Sequence, residues 1–299
     1  MKNNFHNHFS DVNPFVVFLY YTAMMIFTFT FISPVFMIIE FIVLSINRIL
    51  NSSFKAYIKG MIFLIPLALT VIIVNPLFNH NGDTPLLYVN DLPITAESII
   101  YGALTAAMMI NTVLLFRNMN DSLNGDKTND IIGRFFPTIA LLVSMTQKKV
   151  MSISKDAQKL INAQKHFNVL SNESSKNQKL KDGAAVFNAL TANALENSID
   201  TAMAMKSRGF ELKNKKQVKK YPFAIKEAVF CGFTLAAAAL LFYIYIKYSM
   251  TYNVFPKVQE IDTSVHAIIM YSLYTLLAMM PILHNVKEEL KWQIIKSKT

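Results

Sequence analysis

The sequence predicts an all-α, polytopic membrane protein of about six transmembrane helices, with a large helical coupling region between the fourth and the fifth. The composition is 53% hydrophobic and 16% charged, whereas soluble domains carry about a quarter charged residues. Long apolar runs flank a Lys-rich, aromatic-poor middle region. The formal net charge is +10, which in a polytopic protein first of all marks the cytoplasmic side.

The apolar runs define the predicted transmembrane helices. A hydrocarbon core of about 30 Å needs about 20 apolar residues in a helix, although shorter tilted segments occur. Pro66 predicts a kink in the third run. The six predicted spans are residues 14–31, 35–46, 60–78, 99–116, 223–246 and 265–283.

Basic residues in the connections predict the topology. The connection 47–59 contains Arg48, Lys55 and Lys59, which predicts that it is cytoplasmic, and the connection 79–95 has no Lys or Arg, which predicts that it is external. Alternation then places both termini in the cytoplasm of a multi-pass cell-membrane protein. The predicted domain organisation is N-terminal spans in 14–118, cytoplasmic coupling helices in 119–221 and C-terminal spans in 222–286.

Glu40 is a carboxylate inside the short second span. An ionisable group at membrane depth is costly, so one hypothesis makes it a proton or cation site. The other hypothesis is that a short, tilted helix buries Glu40 against polar neighbours or water.

The middle region is predicted to contain three helices, at 129–142, 141–166 and 184–207, with a hydrophilic break at 171–181. Arg208 falls in the last turn of the third helix, and Gly209 is placed to end that helix. A planar, permanently charged guanidinium at a helix end is suited to binding a carboxylate on a partner. The alternative is that Arg208 caps its own helix by contacting the terminal carbonyl groups.

Catalytic and cofactor motifs are not found in the sequence. It has no P-loop, HExxH, GxSxG, Rossmann glycine pattern or paired metal-ligand spacing. Its one cysteine, Cys231, excludes a disulfide framework within the chain. We therefore expect neither an enzyme nor a resident metal or cofactor.

Five stretches, in this order along the chain, resemble the transmembrane T component of energy-coupling factor transporters, the EcfT/CbiQ family. They are 75–84 (NPLFNHNGDT), 94–102 (ITAESIIYG), 136–138 (FPT), 161–165 (INAQK) and 204–210 (AMKSRGF). The resemblance covers most of residues 14–220, and the last stretch is its most specific part. It implies a helical scaffold whose coupling helices end in X-Arg-X motifs. Each motif docks on one of two ABC-type ATPases, and the scaffold also holds a substrate-binding membrane S component.

Ser207, Arg208 and Gly209 match the second X-Arg-X motif of that family. At the first motif this sequence has Phe167 where the family has Arg, so that either Lys165 and His166 supply the positive group or docking on one ATPase is apolar. The resemblance implies ATP-driven uptake of a vitamin or a transition-metal ion. The alternative function is an ion-coupled secondary transporter that uses Glu40 or His266.

Overall fold

The computed structural model describes residues 8–51, 54–89, 92–166, 176–210, 225–248 and 250–298. The chain forms two compact units. The first unit contains residues 1–128 and 221–299, and the second contains residues 129–220.

The described residues are predominantly helical. After a short 3-10 turn at His8–Asp11, the elements in chain order are α1 (Pro14–Thr30), α2 (Pro34–Asn51), α3 (Phe54–Phe78), β1 (Pro85–Val89), β2 (Leu92–Thr95), α4 (Ala96–Ser122), α5 (Gly125–Phe135), α6 (Pro137–His166), α7 (Lys176–Ser207), α8 (Ile225–Lys247), α9 (Val265–Ala278) and α10 (Met280–Lys298).

Four of the described helices, α2, α3, α4 and α8, are long and apolar enough to cross a membrane. The bent pair of α9 and α10 makes a fifth candidate if it counts as one span, whereas α1, with 17 residues, is shorter. The helical membrane-protein class is therefore supported. The described helices include four or five candidate spans by length and composition, and the expected number of six stays a prediction. Helix α3 runs through Pro66 without a break.

Helix α2 is longer than the sequence predicted, because it continues past residue 46 to Asn51. Its last turn is polar but is satisfied by α4. Arg48 forms an ion pair with Asp121, and Asn47 Nδ2 donates a hydrogen bond to Asn118 Oδ1 at 3.4 Å. Partners on a neighbouring helix therefore keep the end of α2 helical.

The last predicted span bends by 47° between α9 and α10. Pro281 lies in the first turn of α10, where a proline has no N–H to donate and its ring disfavours a continuous helix. The hydroxyl of Tyr20 on α1 lies 3.3 Å from Leu277 O and 3.1 Å from Ala278 O, so it caps carbonyl groups at the break. The single span expected over 265–283 is thus interrupted by a capped bend.

Helix α1 lies at the centre of the first unit. Val16, Tyr20, Met24 and Phe27 are each at most 2% exposed, and α1 contacts both α4 and α8. Helix α3, in contrast, is largely exposed and packs mainly on α4.

The connection between α3 and α4 contains a β-hairpin that the sequence analysis did not predict. β1 and β2 pair antiparallel, and side chains at the start of α4 hold the preceding loop. Thr84 Oγ1 donates to Glu97 Oε2 at 2.8 Å, and Ser98 Oγ donates to Asn79 O at 2.6 Å. The structure thus brings together the stretches 75–84 and 94–102, two of the five that carry the resemblance.

In the middle region of the chain, the predicted helix boundaries need correction. The first helix is α5, which starts at Gly125 and ends at Phe135, because Pro137 begins α6 and disfavours helical geometry at Phe136. Helix α7 begins at Lys176, eight residues before the predicted start at 184. Of the predicted break, 171–175 lies outside the described residues.

Candidate docking site

The C-terminus of α7 forms a complete Schellman cap. Gly209 has a positive φ of 73°, which a residue without a Cβ adopts at little cost. Its N–H donates to Lys206 O at 3.0 Å, and Phe210 N donates to Met205 O at 3.0 Å. These two bonds define the motif, so the helix end predicted at Gly209 is confirmed.

The cap leaves the guanidinium of Arg208 unused. Carbonyl groups that it would otherwise have contacted already accept backbone N–H groups, including Ala204 O, which accepts from Arg208 N at 3.2 Å. The exposed Arg208 side chain makes no hydrogen bond or ion pair with any residue that the structure describes. The self-capping alternative is therefore disfavoured, and an external acceptor is open to this charge.

An exposed apolar stripe runs along α7 toward this end. Leu195, Ile199 and Met203 follow one another at intervals of four residues and are 64%, 61% and 60% exposed. Phe210, just beyond the helix, is 39% exposed. Exposed apolar side chains of this size, aligned along one face of a helix, are typical of a protein-binding surface.

The second candidate end lies at the C-terminus of α6. The backbone of Lys165 and His166 forms the last residues of that helix, and Phe167 lies outside the described residues. Each candidate docking end therefore lies on its own helix.

Helices α6 and α7 contact each other along a narrow cleft. The cleft is lined on α6 by Lys149, Ser152, Ile153 and Asp156, and on α7 by Leu190, Asn193, Ala194 and Asn197.

Most of the net charge lies in the second unit. Residues 129–220 contain 16 Lys and Arg and 7 Asp and Glu, a net charge of +9, whereas the whole chain has +10. This unit therefore favours an acidic partner.

Glu40 is 1% exposed and is surrounded by polar groups from other helices. Thr28 Oγ1 on α1 is hydrogen-bonded to its Oε1, and Asn111 Nδ2 on α4 donates to Oε2 at 3.4 Å. Tyr274 on α9 also interacts with the carboxyl group. The expected burial against polar neighbours is therefore confirmed, in a helix longer than predicted.

His266, in contrast, is exposed near the start of α9, where its ring stacks on Tyr248 with the centroids 4.0 Å apart. It lies at the opposite end of α9 from the α9–α10 bend and has no buried polar environment. Of the two residues named for ion coupling, only Glu40 has such an environment.

The described part of the chain defines a class: an α-helical protein that has four or five candidate membrane spans among the described helices, and a basic helical unit. No protein-family model matches the chain, and no curated protein matches it.

Proposed function

We propose that the protein is the transmembrane coupling scaffold of an energy-coupling-factor-type ABC importer. In this proposal the second unit is cytoplasmic and docks on two ABC ATPases, and the first unit spans the membrane and holds a substrate-binding S component. ATP hydrolysis by the partners then drives uptake of a vitamin or a transition-metal ion.

The observation that carries the proposal is the end of α7. Arg208 is exposed on a helix whose terminal carbonyl groups are already capped, so its fork of N–H donors is available to a carboxylate. The apolar stripe of Leu195, Ile199 and Met203 supplies further exposed contact area on the same helix. A guanidinium–carboxylate contact inside a groove is costly to break from one side, because the partner charge is left unpaired.

The S component would contact the membrane-spanning helices. Gly232 and Ala236 lie four residues apart on α8 and are both exposed, and nothing lies within 4 Å of a Cβ built on Gly232. Small residues at this spacing allow another membrane helix to approach closely. Cargo selectivity in this proposal belongs to the S component.

The test replaces Arg208 by Glu. We expect Arg208→Glu to abolish both ATP-dependent uptake and co-purification of the ATPases, while membrane insertion is unchanged. The matched control is Lys206→Glu, which makes the same charge change two residues earlier, on a side chain that is also exposed. Normal uptake by the Arg208→Glu variant would refute docking through this residue.

A second candidate function, an ion-coupled secondary transporter, is favoured by one observation: Glu40 is buried among Thr28, Asn111 and Tyr274. This function predicts uptake in the absence of any ATPase and its loss in Glu40→Gln. Glu260→Gln, at an exposed carboxylate, is the control. The coupling scaffold instead predicts that Glu40→Gln retains ATP-driven uptake.

A further inference from the structure

Two arginines from neighbouring helices lie close together in the first unit. Arg48 is in the last turn of α2, and Arg117 is near the C-terminus of α4. Asp121, the ion-pair partner of Arg48, lies four residues after Arg117 on the same face of α4, so the two arginines are neighbours where α2 contacts α4. Only Arg48 has an acidic partner among the described residues, because it forms an ion pair with Asp121.

Arg117 is held in place by a glycine. Its guanidinium packs against the backbone of α3 at Gly60, where an added Cβ would overlap Nη1 and would lie 3.1 Å from Cζ. Yet Arg117 forms no hydrogen bond or ion pair with any residue in the described part of the chain. The half-buried guanidinium therefore keeps its N–H donors for an acceptor outside the protein.

Exposed apolar side chains adjoin this charge. Phe63, one turn beyond Gly60 on α3, is 75% exposed, and Phe116, directly before Arg117 on α4, is 45% exposed. Both helices are candidate membrane spans. A ligand at this place therefore meets two cationic groups at one end and an apolar surface alongside.

We propose that Arg117 and Arg48 bind the phosphate of an anionic phospholipid whose acyl chains lie along Phe63 and Phe116. A guanidinium donates two parallel hydrogen bonds to a phosphate, which an ammonium group does not reproduce. The two guanidinium groups face one carboxylate, that of Asp121, so the site keeps a net positive charge. This charge favours a lipid headgroup with a net negative charge. The exposed phenylalanines favour a lipid over soluble phosphate, and basic sites between membrane helices bind such headgroups. This inference does not rest on the coupling function.

The experiment measures lipid selectivity of the full chain reconstituted in phosphatidylcholine vesicles. Spin-labelled phosphatidylglycerol and phosphatidylcholine report the fraction of each lipid held at the protein surface. We expect wild-type protein to prefer phosphatidylglycerol and Arg117→Gln to reduce that preference about fivefold, the effect of one basic residue near a membrane surface. Lys159→Gln, at an exposed side chain on α6, removes the same charge outside the candidate membrane spans and should leave the preference unchanged.

A second variant separates position from charge. Gly60→Ala keeps every charge but pushes the Arg117 guanidinium away from its place on α3, so it should also reduce the preference for phosphatidylglycerol. If that variant does not fold, Arg117→Lys replaces it, since the lysine keeps the charge but loses the fork. The proposal is overturned if Arg117→Gln keeps the wild-type preference, if both lipids bind equally, or if millimolar inorganic phosphate displaces the labelled phosphatidylglycerol.

Discussion

At the scale of single residues, Gly209 and Arg208 have separate tasks at the end of α7. Gly209 provides the positive φ that completes the cap, and the completed cap frees the Arg208 side chain. The sequence was sufficient to predict the helix end, because a glycine directly after an Ala- and Met-rich helical pattern commonly terminates the helix. It left self-capping by Arg208 open, because only coordinates show which donors reach the terminal carbonyl groups.

Replacement by alanine should change stability in opposite directions at two glycines, one in the cap of α7 and one inside that helix. Gly209→Ala forces a Cβ into left-handed geometry and should destabilise the helix end by about 1 kcal/mol. Gly183→Ala, inside α7 with nothing within 4 Å of the new methyl group, should stabilise the helix by about 0.5 to 1 kcal/mol. Hydrogen exchange of the amides near Arg208 measures the first effect, and thermal unfolding of the purified chain measures both. Equal changes in the two variants would contradict the cap.

At the scale of elements, helix positions followed from apolar runs, but helix ends depended on contacts between distant segments. Helix α2 reaches Asn51 because Asp121 and Asn118 of α4 satisfy its polar last turn. The bend after α9 combines a local cause, Pro281, with a distant one, the hydroxyl of Tyr20. Periodicity within one segment carries no information about such partners.

The bend between α9 and α10 leads to a prediction about the stability of a Tyr20 variant. Tyr20 is 2% exposed, and Tyr20→Phe removes its hydroxyl, which contacts Leu277 O and Ala278 O. Losing this buried hydrogen bond should cost about 1 kcal/mol, seen as a lower melting temperature in detergent. Tyr57→Phe, which removes one hydrogen bond of 3.0 Å to Ser45 from a half-buried tyrosine, should cost less. A Tyr20 variant as stable as wild type would show that the hydroxyl does not support the bend.

At the scale of the whole molecule, charge is divided unevenly between the two units. The residues of the second unit carry +9 and those of the first unit carry +1. The Lys-rich middle region was visible in the sequence, and so was its separation from the apolar runs. The β-hairpin was not visible in the sequence, because its strands of five and four residues lie in a connection without a periodic pattern.

The charge of the second unit predicts salt-dependent binding of the ATPases. Raising the NaCl concentration from about 0.05 M to about 0.5 M shortens the range of electrostatic attraction and should weaken ATPase binding roughly tenfold. Surface plasmon resonance with the immobilised full chain measures this dependence. Binding of an S component through apolar helices should change little over the same range, and salt-independent ATPase binding would contradict an electrostatic interface.

The central claim is that the Arg208 end of α7 contacts an ATPase, and site-specific photo-crosslinking in cells tests it most directly. Ser207→benzoylphenylalanine places the reactive group beside Arg208 on an exposed residue, and the same replacement at Lys159, whose side chain is 80% exposed on α6, is the control. The account predicts a crosslink to an ABC ATPase from position 207 and none from position 159. Absence of any ATPase adduct at position 207, together with continued cargo accumulation in cells depleted of ATP, would contradict it.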